Sequence, residues 1–275
     1  MRSVSTPAAT FLDESGLQLF AHRGFSGRYP ESTHASYAEA IDYAERTGIE
    51  LGLECDVHFT ADDHLVCLHD LTVDRTSDAT GPLLDWTLAD LRTVDFGSWF
   101  TADPTPQERA VTTLVELLDM IKDARDRGAR INLNLETKHP TPRGLDIEER
   151  VAELLTERGW HTADSPVRMI TFDPEALIKI GELLPELRRT FLVSDLSRVP
   201  DGELPDGVRI VGPDVTRLRE DPGFVERAHR RGNEVHPWIV NTVEDVQFCR
   251  DLGVDGYTSD FPDVVMETLT GAPVG

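Results

Sequence analysis

The chain has 275 residues, 39% of them hydrophobic, with 50 acidic against 27 basic side chains and a formal charge of −23. That length suits one large domain, since closed α/β barrels run to about 250 residues, and the acid excess excludes nucleic acid, whose binding depends on neutralising phosphates. No run of eighteen apolar residues offers a membrane span, and the first sixteen residues lack the apolar core of a secretory signal, so no integral membrane contact and a cytoplasmic location are expected.

Eight strand-like runs follow one another at 17–24, 49–60, 130–138, 167–173, 187–194, 208–214, 234–241 and 256–261. Amphipathic stretches at 33–47, 114–127, 146–158, 174–184, 222–231 and 243–252 lie between them, and the helix after the fifth run, near 200–205, is short or missing. Strands alternating with helices predict a parallel sheet. Eight such repeats predict a (β/α)8 TIM barrel, one domain over 1–275 with its core at 17–270. No G-x-G-x-x-G follows the first run, which argues against an open doubly wound sheet.

The first run ends in His22-Arg23-Gly24, and Pro30-Glu31-Ser32-Thr33 opens the helix after it. In the second run Ile49, Leu51, Leu53, Cys55 and Val57 alternate with Glu50, Gly52, Glu54, Asp56 and His58; the third, from Ile131 to Lys138, alternates likewise. Side chains on a strand alternate between faces. The apolar face should pack on the helices, which turns Glu54, Asp56, Asn134, Glu136 and Lys138 to the barrel axis and Cys55 toward a helix. Barrel axes are ordinarily filled by branched aliphatic residues, so polar axial faces at the carboxyl ends of strands predict a site. Glu54 and Asp56 together make a clamp for a hard divalent cation. His22 and His69, at the ends of short apolar runs, add imidazoles that titrate near neutral pH. The combination suggests metal-assisted cleavage of a phosphate ester.

One segment breaks the rhythm. A strand at 65–70 leads into a long irregular stretch that reaches 112, with Gly81-Pro82, Gly97 and Asp103-Pro104. Insertions of this length in a compact domain are usually functional. The three cysteines, Cys55, Cys67 and Cys249, form no C-x-x-C, so a disulfide framework is not expected.

The ordered set His22-Arg23-Gly24, Pro30-Glu31-Ser32-Thr33, Glu54-Cys55-Asp56, Thr60-Ala61-Asp62 and His69-Asp70 closely resembles the glycerophosphodiester phosphodiesterases, relatives of the phosphatidylinositol-specific phospholipase C-like phosphodiesterases. The likeness continues through Leu135-Glu136-Thr137-Lys138, Trp238-Ile239-Val240-Asn241 and Asp255-Gly256-Tyr257-Thr258-Ser259-Asp260. It implies hydrolysis of glycerophosphodiesters to glycerol 3-phosphate and an alcohol, with a small-molecule substrate as the partner. His22 and His69 would be the acid–base pair, in an order that the resemblance leaves open. Glu54, Asp56 and Glu136 would hold one cation. Oxygen-only ligands favour Mg²⁺ or Ca²⁺ over zinc, and room left for waters favours Mg²⁺. Arg23 and Lys138 would contact phosphate; an ion pair with a neighbouring acid is the other use for Lys138. Glu31 would orient Arg23. Trp238 would line the substrate pocket, or simply fill the barrel. The insertion, about 65–112, would cover the mouth.

Two positions depart from the family pattern. Ser32 replaces an asparagine and is expected to cap the next helix through its hydroxyl, and Asp63-His64 replaces an Asp-Gly turn. His58 shares the face of Glu54 and Asp56 and is expected at the rim. Two other functions fit less well. A lysophospholipase D-like enzyme would need an apolar groove, for which the insertion offers Leu83, Leu84, Trp86, Phe96, Trp99 and Phe100, residues that equally suit a small core of their own. A catalytically silent barrel acting as a binding module would not be expected to keep this whole set of reactive groups.

Overall fold

The computed structural model describes residues 14–272. In chain order its elements are β1 (Gln18–Ala21), α1 (His34–Thr47), β2 (Glu50–Phe59), β3 (Leu65–Cys67), α2 (Leu88–Leu91), α3 (Pro106–Arg109), α4 (Leu114–Asp126) and β4 (Arg130–Thr137). They continue with α5 (Asp146–Glu157), β5 (Val167–Thr171), α6 (Pro174–Leu183), β6 (Arg189–Val193), β7 (Ile210–Pro213), α7 (Val215–Glu220), α8 (Phe224–Arg230), β8 (Glu234–Val235), α9 (Val243–Leu252), β9 (Gly256–Ser259) and α10 (Pro262–Thr270).

Eight strands pair in the order β8-β7-β6-β5-β4-β2-β1-β9, every neighbour parallel. Backbone hydrogen bonds from Asp255 to Val235 (2.9 Å), from Thr258 to Pro237 (3.1 Å) and from Val240 to Thr258 (2.9 Å) bridge the two ends of that order. The result is the expected TIM barrel, nearly closed by strand pairing and completed by these three bonds. All eight predicted runs contain a barrel strand. Only a single 3₁₀ turn, Leu196–Arg198, follows β6 before the chain crosses to β7, as the weak pattern near 200–205 suggested. The helices α7 and α10 were not anticipated. The first is under two turns long, and α10 opens on Pro262 and two valines, a sequence that reads as strand as readily as helix.

Helix α1 shows why these segments fold as they do. Thr33 caps it by accepting from the Ser36 amide at 3.3 Å, and Gly48 ends it at φ 68°. Ser32 is therefore not the cap; it lies in the left-handed region at φ 60°, a conformation asparagine tolerates better than most residues. Asp63, rather than His64, takes the left-handed place in the next turn, at φ 65°. Tyr37, Ala40, Ile41 and Ala44 of α1 join Leu51, Leu53, Cys55 and Val57 of β2 in the main core, which also takes Ile131, Leu133 and Leu135 from β4. The apolar faces of the strands thus pack outward on the helices, and Cys55 goes with them.

Between β2 and α4, β3 pairs antiparallel with β2, and the chain returns through Cys67 N–H to Thr112 O at 2.8 Å. This excursion builds a second small core from Val66, Leu68, Val73, Leu83, Leu91, Val94, Phe96 and Val111, with Trp86 against it. Trp99 and Phe100 meet edge to face at 5.5 Å and stay partly exposed.

Inside the barrel, β2 is crowded at one point: a Cβ on Gly52 would lie 2.0 Å from the Phe20 ring, itself buried against Arg168 and His236. Gly52→Ala should therefore destabilise the fold by about 1–3 kcal/mol, read as a lower urea midpoint at unchanged slope.

Candidate active site

The β2–β4 register sets Asp56 opposite Glu136 and Glu54 opposite Asn134. Period-two alternation then brings Glu54, Asp56 and Glu136 to one face, where a ligand oxygen from each lies within 4.8 Å of the others. Their exposures are 2%, 1% and 6%, so water screens none of them. Three carboxylates this close repel strongly, and the surrounding groups answer in two ways. Burial, joined by the Asp56 charge, pushes Glu54 well above the usual carboxylate range and Glu136 up to about 8. Burial also pushes Asp56 upward, but Lys138 and Arg23 outweigh it and hold that carboxyl well below its ordinary value.

Lys138 Nζ stands between two of the acids, 2.9 Å from Asp56 Oδ1 and 2.7 Å from Glu136 Oε1. Burial works against its charge, and those two acids more than compensate. The ion pair that the sequence offered as a second use for Lys138 is thus the contact it makes. Arg23 sits at φ 54° just past β1. Its backbone N–H donates to Glu54 Oε2 at 2.9 Å, its Nη1 donates to Glu31 Oε1 at 2.7 Å, and its Nε lies 3.0 Å from Asp56 Oδ2. That last pair is close but misaligned, so Asp56 Oδ2 is buried without a hydrogen bond. An acceptor left over in an all-oxygen cluster fits a hard divalent cation.

His22 Nδ1 lies 2.6 Å from Asp260 Oδ1, with Nε2 3.9 Å from Glu54 Oε2. Burial raises the Asp260 carboxyl, but hydrogen bonds from His22, Asn241 and Ser26 leave it below its ordinary value. An ionised carboxylate only accepts, so Nδ1 carries the proton and Nε2 faces the cavity. His69 repeats the device: Nδ1 is 2.6 Å from Asp70 Oδ1. Burial lowers the His69 pKa, and Arg23 and Lys138 add to the effect.

Both histidines line one cavity of about 200 Å³ with Arg23, Glu54, Glu136 and Lys138. Ile170, Phe172, Leu192 and Trp238 add apolar surface to its lining, beside Thr190, His236 and Thr258. Trp238 donates Nε1–H to the Gly212 carbonyl at 2.7 Å and meets Phe172 edge to face. A larger cleft of about 480 Å³, near Gln18, Glu50, Asn132 and Arg188, contains neither histidine and none of the three clustered acids.

The structure therefore gathers His22, His69, Glu54, Glu136, Arg23, Lys138 and Trp238 around one cavity, with Asp56 buried against Lys138 and Arg23 and with Glu31 behind Arg23. His58 is buried, not at the rim; its Nε2 lies 3.2 Å from the His69 carbonyl oxygen. Sequence reasoning assigned no role to Asp260, Asn241, Ser26 or Asp70. The signal for Asp260 and Asn241 was their place at the ends of two of the shared motifs.

A sequence profile described as the Glycerophosphoryl diester phosphodiesterase family matches residues 22–264. A "Probable glycerophosphodiester phosphodiesterase 1" of Mycobacterium tuberculosis is 34% identical over 242 residues, 86% of each chain. A glycerophosphodiester phosphodiesterase of Bacillus subtilis is 32% identical over 265 residues, 91% of this chain and 86% of its own. Among solved structures, an Oleispira antarctica phosphodiesterase in complex with the product sn-glycerol-3-phosphate superposes with a TM-score of 0.76 at 28% identity, covering 95% of this chain and 98% of that one. On a match that spans the barrel from His22 to α10, the chain belongs to the glycerophosphoryl diester phosphodiesterase family, a family of phosphoric diester hydrolases.

Proposed function

We propose that this chain hydrolyses glycerophosphodiesters to glycerol 3-phosphate and an alcohol, using one divalent cation and two histidines. One observation carries the reading: two imidazoles, each backed by a carboxylate at Nδ1, line the same small cavity as Glu54 and Glu136, two members of the three-acid cluster. Glu54, Asp56 and Glu136 would hold the cation, Mg²⁺ or Ca²⁺ by the all-oxygen donor set, which supplies charge neutralisation at the phosphoryl oxygens. With its carboxylates so engaged, Lys138 is free to contact a phosphoryl oxygen. Arg23, held by Glu31, contacts another. One histidine takes a proton from the attacking nucleophile and the other gives one to the departing alkoxide. Asp260 and Asp70 keep both Nε2 atoms pointed inward. Trp238 and Phe172 set apolar surface against the carbon skeleton of the substrate. The positive groups present suit a singly charged diester better than a dianionic monoester.

Glycerophosphocholine, glycerophosphoethanolamine and glycerophosphoglycerol should each be tested for release of glycerol 3-phosphate before and after exhaustive chelation. Turnover that vanishes with the chelator and returns with Mg²⁺ or Ca²⁺ is expected; full turnover after chelation defeats the proposal.

Cation binding should depend on pH. A carboxyl whose pKa is raised keeps its proton, and excludes the cation, until the pH approaches that value; Glu136 stands at about 8 and Glu54 is raised as well. Affinity should rise from pH 6 to pH 8 with protons released on binding, both measurable by calorimetry in buffers of different ionisation enthalpy.

His22→Ala and His69→Ala should each lower turnover by at least about 100-fold while unfolding as cooperatively as the parent. Either variant running at the parental rate would remove that histidine from the chemistry.

A further inference from the structure

We propose that Arg75 is a positioning residue that ties the proton-transfer side of the site to its phosphate side, acting through Asp70 on His69 and through Glu31 on Arg23. The inference rests on the roles proposed above for His69 and Arg23. Arg75 lies in the turn after His69, and its fork spends N–H groups on two carboxylates at once. Nε donates to Asp70 Oδ2 at 2.6 Å; Nη1 and Nη2 donate to Glu31 Oε2 and Oε1, each at 2.8 Å. Asp70 uses its other oxygen on His69 Nδ1, and Glu31 also accepts from Arg23 Nη1. Five side chains thus form one continuous chain, His69–Asp70–Arg75–Glu31–Arg23.

Exposed ion pairs ordinarily contribute little, but bidentate geometry and membership of a network are the exceptions. Asp70 and His69 are both partly open to solvent, and Asp70 is held on one oxygen by His69 and on the other by Arg75. The turn that carries Arg75 is itself anchored. Val73 is buried in the small second core, its N–H reaches the Gly81 carbonyl at 3.1 Å, and Asp74 accepts from the Gly81 amide at 2.9 Å. A lysine at this position would carry the charge without the fork and could not hold both acids in plane.

The test is steady-state kinetics on glycerophosphocholine with the cation-loaded protein. Arg75→Gln should lower kcat/KM by at least about tenfold, and Arg75→Lys should recover little of it. Asp70→Asn and Glu31→Gln should show coupled losses while Arg75 is present, and should multiply independently to within about twofold once Arg75→Gln is added. Thermal unfolding of each variant separates this from damage to the insertion. If Arg75→Gln does not fold, Arg75→Lys, which keeps the charge, carries the comparison. Parental kinetics in the folded variant, independent losses in the presence of Arg75, or coupling that survives its removal would each overturn the proposal. His69→Ala runs alongside: parental turnover there sinks the reading of His69, while the coupling measurement still decides the role of Arg75.

Discussion

Mutual repulsion among three buried carboxylates governs the rest of this molecule. Leaving Glu54, Asp56 and Glu136 together, out of water and uncompensated, would cost several kcal/mol for each charge. The fold compensates with Lys138 between two of them, with the Arg23 guanidinium and amide against two, and with raised proton affinity at Glu54 and Glu136. Glu31 then holds Arg23, and Arg75 holds Glu31. Each partner added to settle the acids needs a partner of its own, so the order of the whole mouth starts from the acidic cluster. The three acids are thus unequal: Lys138 and Arg23 lower the proton affinity of Asp56, while burial and the Asp56 charge raise that of Glu54 and Glu136.

Much of this was legible in the sequence because a strand has a strict period. Once Leu51, Leu53 and Cys55 were assigned to the helices, Glu54 and Asp56 had to face the axis, and the same reasoning placed Asn134, Glu136 and Lys138 there. What escaped was whatever depends on closure or on leaving regular structure. Asp260 meets His22 only because β9 pairs with β1, a contact across 238 positions that no local pattern announces. Asp70 adjoins His69 in sequence, yet alternation would have sent the two to opposite faces; they meet because β3 ends at Cys67 and the chain turns. His58 misled for the opposite reason. It does share the face of Glu54 and Asp56, but the excursion folds over it and gives its ring the His69 carbonyl instead of solvent. The left-handed Ser32 and Asp63 are single-residue conformations, visible only once φ is known.

The cavity lining mixes apolar and charged side chains. Ile170 and Phe172 come from β5 and its end, next to β4, whereas Leu192 lies in β6 and Trp238 follows β8. Polar side chains are not confined to β1, β2 and β4: Thr190 of β6, His236 beyond β8 and Thr258 of β9 also line the cavity. Glu54, Glu136 and the two histidines share the cavity with apolar side chains that constrain shape more than charge.

The antiparallel hairpin of β2 and β3 has a consequence for how such a protein diversifies. Every parallel strand finds its neighbours among other parallel strands, so the barrel closes whatever hangs from the end of β2. One of the two imidazoles nevertheless belongs to that appendage and not to the barrel. On the roles proposed for the two histidines, grafting the appendage from one relative to another would carry one proton-transfer group along with the shape of the mouth. On the same reading, silence could come from that appendage alone, with every parallel pairing of the barrel still in place.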